Sequence, residues 1–139
     1  MKKAPLLALA FTLLLMGHAL VSQAAISSVT LKQCHFPTGK GDSEQQIVCV
    51  KIAGTAGTYS LTELKMTMGG STNINDVTSV KVRYNAKKYK FYATSPLFGA
   101  APAPSAGTLT VSGNQSFTLS STLDTVCFWI VYDVSASAT

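Results

Sequence analysis

The sequence predicts an all-β fold, an antiparallel β-sandwich of about eight short strands in the manner of immunoglobulin or jelly-roll domains. Three observations predict it. Along the chain after the leader the apolar residues recur with period two, not 3.6. Clusters of Gly, Asn, Ser and Thr punctuate the apolar runs. No segment carries an amphipathic helical pattern over ten residues. Strands with one apolar face must bury it against a second layer, so two packed sheets are expected, with a small barrel as the competing all-β solution.

Taken in order, the first element is not part of the fold. Lys2 and Lys3 precede a nearly unbroken apolar run from Ala4 to Val21, and Ser22-Gln23-Ala24 puts small residues at the positions a signal peptidase reads. Residues 1–24 therefore read as a signal peptide, and residues 25–139 as one exported domain, secreted or otherwise extracytoplasmic. An uncleaved anchor would need about 20 apolar residues, and this run is interrupted by Thr12, Gly17 and His18. No stable membrane insertion is expected once the leader is removed. Removing Lys2 and Lys3 leaves nine basic against six acidic residues, a net of +3, too mild to predict nucleic-acid binding.

Strand candidates follow at Ser28–Leu31, Ile47–Ile52, Leu61–Met68, Val80–Tyr84, Lys88–Tyr92, Thr108–Val111, Ser116–Leu119 and Thr125–Val134. Turns are expected at Gly54–Gly57, Gly69–Asn73, Asn85–Lys87 and Ser112–Asn114. The Pro-containing stretch Gly99–Gly107 cannot pair in a central strand and reads as a loop inside the domain. Asn114-Gln115-Ser116 matches a glycosylation sequon but is read as turn chemistry.

Export gives the three cysteines meaning, because disulfides persist in oxidising compartments. Cys34 and Cys49 flank a Gly-containing loop, and a bridge between them is the favoured pairing; Cys127, inside the run Val126–Val131, is either a buried small hydrophobe or the partner of one of the others, and three reduced cysteines are the remaining alternative. Zinc is disfavoured, since there is no Cys-x-x-Cys and the only histidine after the leader is His35. No metal and no cofactor is expected.

Catalytic patterns are not found. The sequence contains no nucleophile elbow, zinc-protease motif, phosphate loop or dinucleotide fingerprint. The six carboxylates Asp42, Glu44, Glu63, Asp76, Asp124 and Asp133 are scattered, where glycoside hydrolysis needs two facing one bond. Asp76 reads as a turn former and Asp133 as a hydrogen-bonded structural carboxylate. The surface charge says more. If Val80, Val82 and Tyr84 face inward, Lys81 and Arg83 face outward; across a hairpin turn Tyr89 and Phe91 would face inward, leaving Lys88, Lys90 and Tyr92 outside. Such a face suits an acidic glycan, with the guanidinium as a fork for a carboxylate and tyrosine as a platform for a sugar ring. Trp129 is a second candidate platform, with burial in the core as the alternative. The plainer reading of the hairpin is an edge whose lysines block aggregation.

The order T-E-L-K-M-T-M-G-G-S-T-N-I-N-D-V-T-S-V-K-V-R-Y (Thr62 to Tyr84), then S-P-L-F-G (Ser95 to Gly99), then F-W-I-V-Y-D-V-S-A-S-A-T (Phe128 to Thr139) resembles the N-terminal accessory domain of bacterial BNR-repeat neuraminidases (sialidases). The resemblance spans about Gln46 to Thr139. It implies an extracellular β-sandwich ahead of a sialidase propeller, a non-catalytic module that binds sialic acid-containing or other acidic glycans. Its members continue past the C-terminal motif into one further strand, so the domain is expected to lack its last strand or to take one from elsewhere. Two functions from different classes follow: a glycan-binding accessory module, and a structural or interaction domain offering an open sheet edge to a protein partner.

Overall fold

A computed structural model describes residues 24–34, 39–68, 73–86, 90–101 and 107–138. The leader up to residue 23, His35, Lys88, Tyr89 and residues 102–106 of the Pro-containing stretch lie outside the described residues. Among the described residues seven strands carry the fold: β1 (Ile26–Gln33), β2 (Gln45–Gly54), β3 (Gly57–Met68), β4 (Val77–Asn85), β5 (Leu97–Ala101), β6 (Gly107–Leu119) and β7 (Thr125–Val134). They form two antiparallel sheets, one of five strands in the order β1-β2-β7-β4-β5 and one of two, β3-β6. The all-β sandwich expected from the alternation is the fold observed.

Alternation places the core. On β7, Val126, Phe128 and Ile130 point between the sheets, where they meet Val50 and Ile52 of β2, Val80 and Val82 of β4, and Val111, Phe117 and Leu119 of β6. Phe128 is fully buried at the centre, with ring centroids 5.1 Å from Tyr84, 5.5 Å from Phe98 and 5.9 Å from Phe117. Edge-on and tilted ring pairs at these separations add to the gain from area burial alone. A single 3-10 turn, Ile74–Asp76, leads into β4; Asn73 accepts from the Asn75 N–H at 3.1 Å and donates to Asp76 at 3.2 Å. Asp76 is thus the turn former its neighbours implied.

Two expectations about strands are corrected. Thr108–Val111 and Ser116–Leu119 are not separate strands around a turn, because β6 runs straight through Ser112–Asn114. The glycine there serves a bulge and a crossing. Pairing with β3 slips between Leu61 and Glu63, and a Cβ on Gly113 would lie 2.3 Å from the Phe98 carbonyl oxygen. Gly99 on β5 has the reciprocal constraint, 2.3 Å from the Ser112 carbonyl oxygen. The two glycines let β5 and β6 cross almost in backbone contact and close that side of the sandwich.

The hairpin expected from Val80–Tyr84 and Lys88–Tyr92 is not formed either. Residues 90–92 are loop, and the edge of β4 is taken by β5, with Val80 opposite Ala101 and Val82 opposite Gly99. The physical reason is what each segment can bury. Leu97–Ala101 delivers Phe98 and Ala101 to the core, both buried, whereas two of the five residues of Lys88–Tyr92 are lysine.

Candidate functional site

The outer face of the five-stranded sheet holds most of the residues singled out from sequence, and it holds them in two groups. In the first, Lys81 and Arg83 project outward as expected, yet neither is a free cation. Arg83 grips Glu44 with Nε to Oε2 at 2.6 Å and Nη2 to Oε1 at 2.7 Å, and its Nη1 donates to the Ser95 carbonyl at 2.7 Å. Lys81 Nζ donates to Asp133 at 2.6 Å and to Glu44 at 3.3 Å. Ser79 Oγ donates to Asp133 at 2.6 Å, and the Glu44 backbone N–H to the other Asp133 oxygen at 2.9 Å. Two cations and two carboxylates leave the cluster formally neutral.

The electrostatics follow from these bonds. The Arg83 hydrogen bond holds the Glu44 carboxyl below its ordinary value against the opposing effect of burial, with the charges of Arg83 and Lys81 assisting. For Asp133, burial pushes upward, but the bonds from Lys81, Ser79 and the Glu44 N–H together outweigh it and bring the carboxyl to about 2. Lys81 and Arg83 are correspondingly raised, Lys81 chiefly by its bond to Asp133 and Arg83 by its bonds to Glu44. The cluster is a buckle that ties the loop before β2 to β4 and β7. It does not present a bare basic face.

The second group surrounds Trp129, which is only 4% exposed and so is not an open platform. Its indole lies against Cys49, Cys127, Cys34 and Phe91, with the Phe91 ring edge-on at 6.0 Å. Phe91, expected inside the sandwich, instead folds over the outer face from the loop that follows β4, and this is what covers the tryptophan. Cys34, Cys49 and Cys127 are all thiols, so the expected Cys34–Cys49 bridge is not made; Cys49 and Cys127 are buried together beside Trp129. No group of three or more His, Cys, Asp and Glu among the described residues is arranged to hold a metal ion. Of the remaining candidates, Lys90 and Tyr92 are exposed and adjacent, the ammonium 5.7 Å from the ring centroid; Lys88 lies outside the described residues.

Sequence reasoning anticipated an open sheet edge but did not place the third feature, an open side between the sheets. A cleft of about 350 Å³ runs between the sheets, walled by Leu31, Val48, Val50, Ile130 and Tyr132 on one side and Leu64 and Met66 of β3 on the other. It exists because two strands cannot roof five. Every residue of β1 is exposed, including Val29 at 59% and Leu31 at 72%, although register places both on the core-facing side opposite Ile52 and Val50. Among the described residues β1 pairs only with β2, and β3 only with β6, so each has one unpaired backbone edge, and both edges flank the cleft. The available signal was the apolar pair Val29 and Leu31, but reading it required the partition of strands between sheets. No family model, curated protein or solved structure matches the chain.

Proposed function

We propose that the domain is a non-catalytic interaction module whose open side takes up an extended polypeptide strand with apolar residues at every second position. The observation that carries this reading is the cleft between β1 and β3. An occupant there must satisfy unpaired backbone N–H and C=O groups and also supply apolar side chains to Leu31, Leu64 and Met66, and an extended strand does both. The further strand implied by the resemblance of the C-terminal motif is an occupant of the same kind. The test is fluorescence anisotropy with a labelled peptide of alternating valine and threonine flanked by lysines. Binding on the order of tens of micromolar is expected for so small a surface, weakened at least about tenfold by Leu64→Asp. Equal binding by both proteins, or none at millimolar peptide, refutes it.

A carbohydrate-binding module remains the second reading, favoured by the exposed Lys90 and Tyr92 pair. Of the other residues first assigned to it, Lys81 and Arg83 are held by Glu44 and Asp133, and Trp129 is covered. A glycan array read at low and raised salt tests it: salt-sensitive capture of sialylated or other acidic glycans, lost in Tyr92→Ala, supports it, and an empty array removes it.

A further inference from the structure

Three thiols on one face of three neighbouring strands are one more than a single disulfide needs. From the sheet edge inward, β1, β2 and β7 bring Cys34, Cys49 and Cys127 into a row. Cys34 follows β1 directly, its N–H bonded to the Ile47 carbonyl at 2.8 Å, which sets it one diagonal step from Cys49; Cys49 lies opposite Trp129, one diagonal step from Cys127. Access falls along the row. Cys34 is half-buried, while Cys49 and Cys127 are 1% and 2% exposed. Cys49 and Cys127 are buried in one cluster with Trp129, and Cys34 packs against that cluster, so the middle residue adjoins both ends. Trp129, the only tryptophan, packs on the row, and its Nε1 is buried without a partner among the described residues.

We propose that Cys34, Cys49 and Cys127 form a thiol–disulfide relay in which Cys34 takes up a disulfide from outside and the bond comes to rest between Cys49 and Cys127. The chemistry balances with an external disulfide as oxidant. The Cys34 thiolate attacks one sulfur of a small disulfide, forming a mixed disulfide and releasing one thiol. Cys49, giving up its proton to the departing thiolate, then attacks the Cys34 sulfur, forming Cys34–Cys49 and releasing the second thiol. Finally the Cys127 thiolate attacks Cys49, the Cys49–Cys127 bond forms, and Cys34 leaves as a thiolate that is reprotonated. The external disulfide gains the two electrons that Cys49 and Cys127 lose, and their two protons go to the released thiols. Entry at Cys34 follows from its exposure. Rest at Cys49–Cys127 follows from their contact and from burial, which shields the finished bond from attack by thiols in solution. Diagonal neighbours sit about 7–8 Å apart, beyond the usual span of a disulfide, so the strands must draw together as each bond closes.

The experiment exposes the reduced protein to oxidised glutathione without air, quenches with acid, alkylates and maps the peptides over time. The first adduct is expected on Cys34 and the final bond between Cys49 and Cys127 with Cys34 again alkylatable, quenching of Trp129 fluorescence lagging behind the adduct. Cys34→Ser should reach the same bond at least about tenfold more slowly, and Cys127→Ser should stop at Cys34–Cys49. A first adduct on Cys49 or Cys127, wild-type speed in Cys34→Ser, or a lasting glutathione adduct with no internal bond overturns the relay. Circular dichroism screens the variants for folding, and the time course of the unsubstituted protein decides alone where one fails.

Discussion

Glu44 has φ of 55°, a left-handed conformation that a residue with a Cβ adopts at a cost, immediately before β2. Its carboxylate on Arg83 and its N–H on Asp133 hold it there. Glu44→Ala removes one half of a partly buried pair and leaves a guanidinium poorly matched, so a loss of about 1–3 kcal/mol is expected in urea unfolding. Acid should act on the same bonds. Both carboxyls are held below their ordinary values, so their contribution is complete above the unfolded values near 4 and is lost as pH falls through the folded ones, about 2 for Asp133. Urea midpoints should hold between pH 7 and 5 and fall from pH 4 to 2, with a shallower fall in Glu44→Ala; parallel curves would remove Glu44 from the account. The outward direction of Lys81 and Arg83 was legible in the alternation of β4, and their occupation was not. Glu44 lies 39 residues from Arg83 and Asp133 lies 52 from Lys81, separations at which only the folded sheet decides who meets whom.

Elements show a similar division. β7 and β2 could be read directly, because continuous apolar runs bury both faces of a central strand: Cys127, Trp129 and Val131 outside, Val126, Phe128 and Ile130 inside, all buried. Glycine was the ambiguous letter. Ser112-Gly113-Asn114 has turn composition, yet the chain uses Gly113 where another backbone presses in, and sequence does not distinguish a turn from a close crossing. The crossing is testable. Gly113→Ala puts a Cβ 2.3 Å from the Phe98 carbonyl and 2.8 Å from its ring, and β5 must back away from β6. A loss of about 2 kcal/mol or more is expected by urea unfolding; a neutral effect would mean that β5 is not held against β6. Lys88–Tyr92 misled for another reason, since its alternation is real but Phe91 packs on Trp129 over the outer face, and the edge of β4 goes to the segment carrying Phe98 and Ala101.

At the scale of the whole molecule these features make the sandwich lopsided. β5 and β6 close one side backbone to backbone, and β1 and β3 leave the other ajar, so the aromatic centre and the cleft should respond to substitution in opposite ways. Phe128→Ala, at the packed centre, is expected to cost about 3–5 kcal/mol and to unfold much of the population. Leu31→Lys, at 72% exposure, should shift the urea midpoint by no more than about 0.5 kcal/mol, yet it places a charge on the apolar rim. β1 carries a single charge, Lys32, and no proline, so it lacks most of the devices that keep an edge strand from pairing with another chain. With the cleft empty, the exposed edge should associate weakly as concentration rises, and Leu31→Lys should suppress this while leaving stability unchanged. Sedimentation velocity across a hundredfold range of concentration separates the outcomes. If both proteins stay monomeric, or both associate alike, the edge between β1 and the cleft is not the adhesive surface, and the argument for strand uptake would rest on the β3 edge alone.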